Sequence, residues 1–170
     1  SLGGRSVLVT GVATGIDASF VEHFARQVAR VAFLDIDDAS GHALVQALAD
    51  VRHVPIYLHA DVTALASFQA AIAEARRQIG PIAVLVHNAA NDARHSLSDT
   101  RAEDFERSIA ANPPHQDLAI HVVAADMLAP RCGSILCLAF TRLSIHHCGH
   151  PIHHSAKSAF PVPVDSLCPR

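Results

Sequence analysis

Tryptophan is missing from this 170-residue chain, and methionine and tyrosine occur once each. A core with so few large side chains has to be assembled mainly from aliphatic ones, in many small contacts. Charge is also scarce. Lys and Arg number 13 against 16 Asp and Glu, a formal net charge of −3, and no block of basic residues interrupts the pattern. That excludes a chain that follows a phosphate backbone, so no nucleic-acid partner is expected. No apolar run reaches the roughly 18 residues of a membrane span, so no membrane partner is expected either. The opening Ser1-Leu2-Gly3-Gly4-Arg5 leads into a strand without the apolar segment of a secretory signal, which gives a cytoplasmic reading. The four cysteines, Cys132, Cys137, Cys148 and Cys168, follow no C-x-x-C spacing, so neither a disulfide framework nor a zinc knuckle is indicated.

What is there is a globular composition, 50% hydrophobic and 17% charged, at a length of about one domain. Residues 1–170 read as a single domain. Short aliphatic runs alternate with longer amphipathic segments, the pattern of βαβ units around a parallel sheet covered on both faces. Strands are predicted at residues 6–10 (SVLVT), 30–36 (RVAFLDI), 53–59, 82–86 and 133–138 (GSILCL). The first helix is predicted over 15–30, with Ile16, Phe20, Phe24 and Val28 on its apolar face. A second runs from about 40 to 50, capped by Ser40 or Asp38. A third leads from Asp61-Val62-Thr63 to about 78 and stops at Gly80-Pro81. A helical stretch over 102–128 contains Asn112-Pro113-Pro114, where a break or sharp kink is expected because an interior proline costs about 3 kcal/mol or more. A last helix should begin near His153. Pro161, Pro163 and Pro169 make a long continuation of it untenable.

Between the first strand and first helix stands Thr10-Gly11-Val12-Ala13-Thr14-Gly15-Ile16-Asp17. Backbone N–H groups at such a turn, together with a helix N-terminus, can receive a pyrophosphate, and glycines let the phosphate approach. A glycine pair alone also fits an ordinary strand-to-helix turn. The context is more specific: Asp35 stands about 20 residues on, the Rossmann spacing for an acid that binds the adenosine ribose.

The Thr-Gly-x-x-x-Gly-Ile turn resembles the short-chain dehydrogenase/reductase signature, and further matches follow in order. Asp61-Val62 resembles the family's adenine-contacting pair, and His87-Asn88-Ala89-Ala90 its Asn-Asn-Ala-Gly stretch. Asn112 falls where the family has its long-helix Asn, and Lys157 where it has the Lys of Tyr-x-x-x-Lys. The segment 88–95, with Asn112 followed by His115-Gln116, resembles the branch that oxidises aldoses at C1, such as xylose dehydrogenases. The resemblance implies a Rossmann-type α/β fold, a doubly wound parallel sheet truncated after the fifth strand and the start of the following helix. It implies hydride transfer between a nicotinamide cofactor and a sugar or other secondary alcohol or carbonyl. Thr10, Gly11, Thr14, Gly15 and Ile16 would hold the pyrophosphate, Asp35 and Ile36 the ribose, and Asp61 and Val62 the adenine. Asn88, Ala89, Ala90 and Lys157 would line the rest of the cofactor. An acid at Asp35 disfavours a 2′-phosphate, so NAD is expected over NADP. The residue-level alternatives are a solvated helix entrance for Asp35 and Asp37 and a helix cap for Asp61. Family members assemble through the long helix and the one after Lys157, which implies a homo-oligomer.

The catalytic end departs from the pattern. Four positions before Lys157 stands His153, not Tyr, and the chain's single tyrosine, Tyr57, lies on a strand of the first half. The position of the substrate-polarising Ser is Phe140, with Thr141 and Ser144 as the nearest hydroxyls. The catalytic set implied is therefore Asn112, Thr141, His153 and Lys157, with His153 as substitute acid/base. Asp17 replaces the signature's third glycine. Pointed at a phosphate about 4 Å away, at an effective dielectric near 20, it would repel by about 4 kcal/mol. The second reading is a catalytically silent relative that binds a nucleotide weakly or serves as an interaction module. His146, His147, Cys148, His150, His153 and His154 form a loop rich in metal-ligand types, but without paired ligand spacing it reads as solvated histidines, and no metal site is assigned.

Overall fold

A computed structural model describes residues 2–11, 16–62, 64–87, 113–128 and 130–137. Its strands are β1 (Ser6–Thr10), β2 (Arg30–Asp35), β3 (Ile56–His59), β4 (Val84–His87) and β5 (Ser134–Cys137). Its helices are α1 (Ile16–Arg26), α2 (Asp38–Ala47), α3 (Leu65–Ile79) and α4 (Pro113–Leu128). All four strand pairings are parallel, in the order β3-β2-β1-β4-β5. This is the parallel βαβ sheet that the alternating pattern predicted, in the doubly wound Rossmann arrangement that the family resemblance implied.

Alternation along the strands sends neighbouring side chains to opposite faces, and the core divides accordingly. On one face Leu8, Ala32, Leu34 and Leu85 pack with Phe68, Ile72, Ala75 and Ile79 of α3 and Ile120 and Val123 of α4. On the other, Val7, Val9, Val31, Phe33, Val84 and Val86 pack with Val21 and Ala25 of α1 and with Leu48 after α2. The central strands are apolar on both sides, which is why they read as continuous aliphatic runs rather than alternating ones.

Element ends differ from the sequence expectation for local reasons. Helix α1 stops at Arg26 rather than at 30, because Val28 sits at φ 65 in a turn closed by Val28 N–H to the Ala25 carbonyl, 3.0 Å. Helix α2 is capped by Asp37, not by Asp38 or Ser40: the Asp37 carboxylate accepts from Ser40 N at 3.2 Å and Ser40 Oγ at 2.6 Å. Gly41 lies inside α2 because a Cβ there would meet the Tyr57 ring at 2.5 Å. Helix α3 ends at Gly80, as predicted. Pro113 and Pro114 open α4 rather than interrupting it. An N–H in a first helical turn has no helical acceptor, so its loss costs nothing there. The expected helical residues before Pro113 lie outside the described residues.

Helix α4 is fixed to its neighbours by a polar tie. Asp126 Oδ2 accepts from Arg76 Nε of α3 at 2.8 Å and from Ile82 N, just before β4, at 3.0 Å. Arg76 Nη2 also donates to the Val122 carbonyl at 2.7 Å. The Asp126 side chain is only 14% exposed, so this ion pair is screened less than a surface one.

Candidate nucleotide site at the strand carboxyl ends

Parallel strands bring all their carboxyl ends to one edge, and the order reverses between β1 and β4, where α/β sheets open a crevice. Thr10 is the last residue of β1 and His87 the last of β4, paired in register across that reversal. Both are completely buried, and Thr10 Oγ1 shares a 2.7 Å hydrogen bond with His87 Nδ1. The pair satisfies two polar groups that would otherwise be costly to bury, and it joins the two strands beneath the crevice.

Gly11 follows immediately, at φ 77, the left-handed region that a glycine enters without strain. Its N–H donates to the Leu34 carbonyl at 2.8 Å, which ties the start of the turn to the end of β2. The next residue on that strand is Asp35, half-buried, whose Oδ1 accepts from Asp37 N at 2.9 Å. The ribose acid expected from spacing therefore stands one strand over from the glycine turn. Ile36 beyond it is 61% exposed, an apolar shelf at the same edge. Asp61 and Val62 emerge from β3 on the same side, both half-buried, with Val62 packed on the α3 face of the core. Asp61 is not a helix cap: α3 begins after Ala64 without a side-chain cap, and the Asp61 carbonyl accepts from Ala64 N at 3.1 Å.

The other two acids at the α2 entrance are engaged. Ser40 hydrogen bonds hold Asp37 below the usual carboxylate range. Asp38 is lowered by the Tyr57 hydroxyl, which donates at 2.7 Å, and by His59, whose Nδ1 lies 2.9 Å away. Burial and the neighbouring Asp38 carboxylate push the Tyr57 phenol upward, and its hydroxyl also donates to the Asp35 carbonyl at 3.0 Å. The chain's single tyrosine is thus a tie between β3, β2 and α2. Asp35, Asp37 and Asp38 give this corner a negative field, with the exposed Ile36 side chain beside it.

The structure brings Thr10, Gly11, Asp35, Ile36, Asp61 and Val62 to one edge and makes Ile16 the first residue of α1. Asp17 lies in the first turn of that helix. Thr14, Gly15, Asn88, Ala89, Ala90, Asn112, Thr141, His153 and Lys157 lie outside the described residues, as does the histidine-rich loop. Spacing did not assign His87 or Tyr57 to the site. Both are terminal or inward positions on strands whose polar partners lie far away in sequence.

A parallel sheet with helices on both faces and a glycine turn at its switch point defines a Rossmann-type nucleotide-binding protein. Residues 11–167 match the family described as enoyl-(acyl carrier protein) reductase. The chain belongs to the short-chain dehydrogenase/reductase family of oxidoreductases. A probable galactose dehydrogenase of Rhizobium meliloti is 36% identical over 155 residues, which are 91% of this chain and 60% of that protein. A D-xylose 1-dehydrogenase of Caulobacter vibrioides is 38% identical over 136 residues, 80% of this chain and 53% of that protein. The chain thus spans little more than half the length of these relatives. The crystal structure of gox2181 shares the fold, with a TM-score of 0.89 at 24% identity, covering 98% of this chain and 66% of that one. A blue fluorescent protein from a metagenomic library, solved in complex with NADPH, gives a TM-score of 0.83 at 29% identity over 93% of this chain and 65% of that one. Among the described residues, no helix is long and apolar enough to cross a membrane.

Proposed function

We propose that this chain binds NAD along the strand carboxyl ends and, as part of an aldose 1-dehydrogenase, oxidises a sugar. The observation that supports this reading is the 2.8 Å tie from Gly11 N to the Leu34 carbonyl, which sets Gly11 beside the end of β2, where Asp35 stands. Sugar-dehydrogenase relatives at 36% and 38% identity support a sugar as the substrate class. The NADPH complex of the metagenomic relative supports a nicotinamide nucleotide, and the acid at Asp35 favours the form without a 2′-phosphate.

When bound, the nicotinamide ring would accept hydride from the substrate carbinol. In this reading Thr10, Gly11, Thr14, Gly15 and Ile16 cradle the pyrophosphate. Asp35 and Ile36 take the ribose, Asp61 and Val62 flank the adenine, and Asn88, Ala89 and Ala90 line the inner cofactor. His153 removes the hydroxyl proton, Lys157 lines the cofactor, Thr141 orients the oxygen, and Asn112 positions the catalytic group.

A second reading is favoured by His153 and Phe140, which stand where the family carries Tyr and Ser: the chain binds nucleotide without turnover. One experiment separates the two. Quenching and enhancement of NADH fluorescence are followed on adding the full chain, and then NAD reduction with a panel of aldoses. Turnover lost in His153→Ala supports the dehydrogenase. Binding without turnover selects the silent relative, and absence of binding at millimolar NADH rejects both.

A further inference from the structure

We infer that a second binding site, for a small organic anion with an apolar body, lies at the amino-terminal edge of β2 and β3. It is at the end of the strands opposite Thr10 and Asp35, and it stands independently of the nucleotide reading. β3 begins only at Ile56, opposite Ala32, so the first residues of β2 are left without a neighbouring strand on that side. The notch is a cavity of about 330 Å³, at the small end of the range of about 300–1,000 Å³ typical of small-molecule sites.

Its walls divide by chemistry. Arg30, Arg52 and His53 supply the polar side, and Val54, Ile56 and Ile79 the apolar side, with no carboxylate among the lining residues. Nearby acids are committed elsewhere. Asp50 faces Arg26 Nη1 at 3.6 Å, and Glu74 of α3 is held by Arg77 at 2.6 Å and by the Gln78 amide. Arg30 is pre-oriented: its Nε and Nη2 donate to the Gly4 carbonyl at 3.3 and 3.0 Å, which leaves part of its five-donor fork for a ligand. Among the described residues, neither Arg52 nor His53 has an ion pair. The carboxyl end of α3 contributes partial negative charge here, which one basic group would offset; two guanidiniums and an imidazole exceed that need. Guanidinium pairs suit a carboxylate or phosphate head, and the apolar wall, where Val54 is 44% exposed, suits a short hydrocarbon body.

Octanoate, octan-1-ol and inorganic phosphate are titrated separately into the full isotope-labelled chain, with NADH absent, and amide shifts are followed at residues 30–31, 52–56 and 78–79. Saturable shifts confined to those residues are expected with octanoate, which should bind at least about tenfold more tightly than either control. Arg52→Gln should weaken octanoate by about tenfold or more, and Val54→Asp should abolish it. Equal binding of octanol, equal binding of phosphate, or octanoate affinity unchanged in both variants overturns the proposal. The comparison of ligands on the unmodified chain decides the matter even where a variant does not fold.

Discussion

Replacing Thr10 by Val keeps the shape of the β1 terminus and removes the hydroxyl that meets His87 Nδ1 at 2.7 Å. Both residues are fully buried, so water cannot take over the lost contact. Loss of this hydrogen bond from the buried His87 Nδ1 costs about 1–3 kcal/mol. For a chain of this size each kcal/mol lowers the melting temperature by about 2–4 °C, so Thr10→Val should melt roughly 2–12 °C lower. His87→Leu should show a comparable loss. The double variant removes both members of the pair and should be less destabilised than the sum, with a coupling energy of about 0.5–3 kcal/mol. Urea denaturation of the four proteins measures that coupling. Because Gly11 follows Thr10 directly, NADH affinity should weaken in Thr10→Val along with stability. Additivity within about 0.5 kcal/mol would refute the argument that the two strand ends are held together by this bond.

Four further outcomes are expected. Asp35→Ser removes the acid at the ribose corner and should reduce the preference for NADH over NADPH by at least about tenfold in paired fluorescence titrations; an unchanged ratio removes Asp35 from that role. Asp17→Gly should tighten NADH binding by up to about a thousandfold if the carboxylate faces the phosphates, and an unaltered dissociation constant shows that it does not. Gly41→Ala sets two effects against each other: helix propensity gains up to about 1 kcal/mol, and overpacking against the Tyr57 ring, 2.5 Å from the added Cβ, costs about 1–3 kcal/mol. The net should be a lower melting temperature, and a rise would mean that the ring moves freely. Asp38 is held below its ordinary range by Tyr57 and then His59, so its contribution is present above the unfolded value of about 3.9 and disappears as pH falls through the lower folded value. Asp38→Asn should therefore lose stability relative to the unmodified chain at pH 6, and the gap should close near pH 2–3 in denaturation curves.

The sheet was legible because its central strands are buried on both faces, so runs such as Val7-Leu8-Val9 and Val84-Leu85-Val86 are apolar without interruption. The nearness of Gly11 to Asp35 was legible because a strand-helix-strand unit of fixed length separates them, and Gly11 N indeed bonds to the Leu34 carbonyl. Helix ends were less so. Val28 suits the apolar face of a continuing helix, and only the chain's return toward Gly4, whose N–H donates to the Val28 carbonyl at 2.9 Å, forces it into the left-handed region. Pro113 and Pro114 signalled a break, but not that the break is the start of α4. Asp37 and Asp38 are equivalent caps by composition, and the choice falls to Asp37 because Tyr57 and His59, from another strand, occupy Asp38. The bond between Thr10 and His87 spans 77 positions, and no local pattern encodes it.

The tie at Asp126 acts as a height gauge for the opposite end of its helix. A helix rises 1.5 Å per residue, so the first residue of α4 stands about 20 Å from the carboxylate that anchors its last turn. Asp126 bonds to the backbone just before β4, and the helix runs from the strand carboxyl ends back toward that anchor. The elevation of Pro113 above the sheet is thereby referenced to β4, whose far end is His87. A sideways or lengthwise slip of α4 would have to break the Asp126 contacts first, so an alteration made at the floor of the sheet would be felt at its rim as a change in where the helix begins.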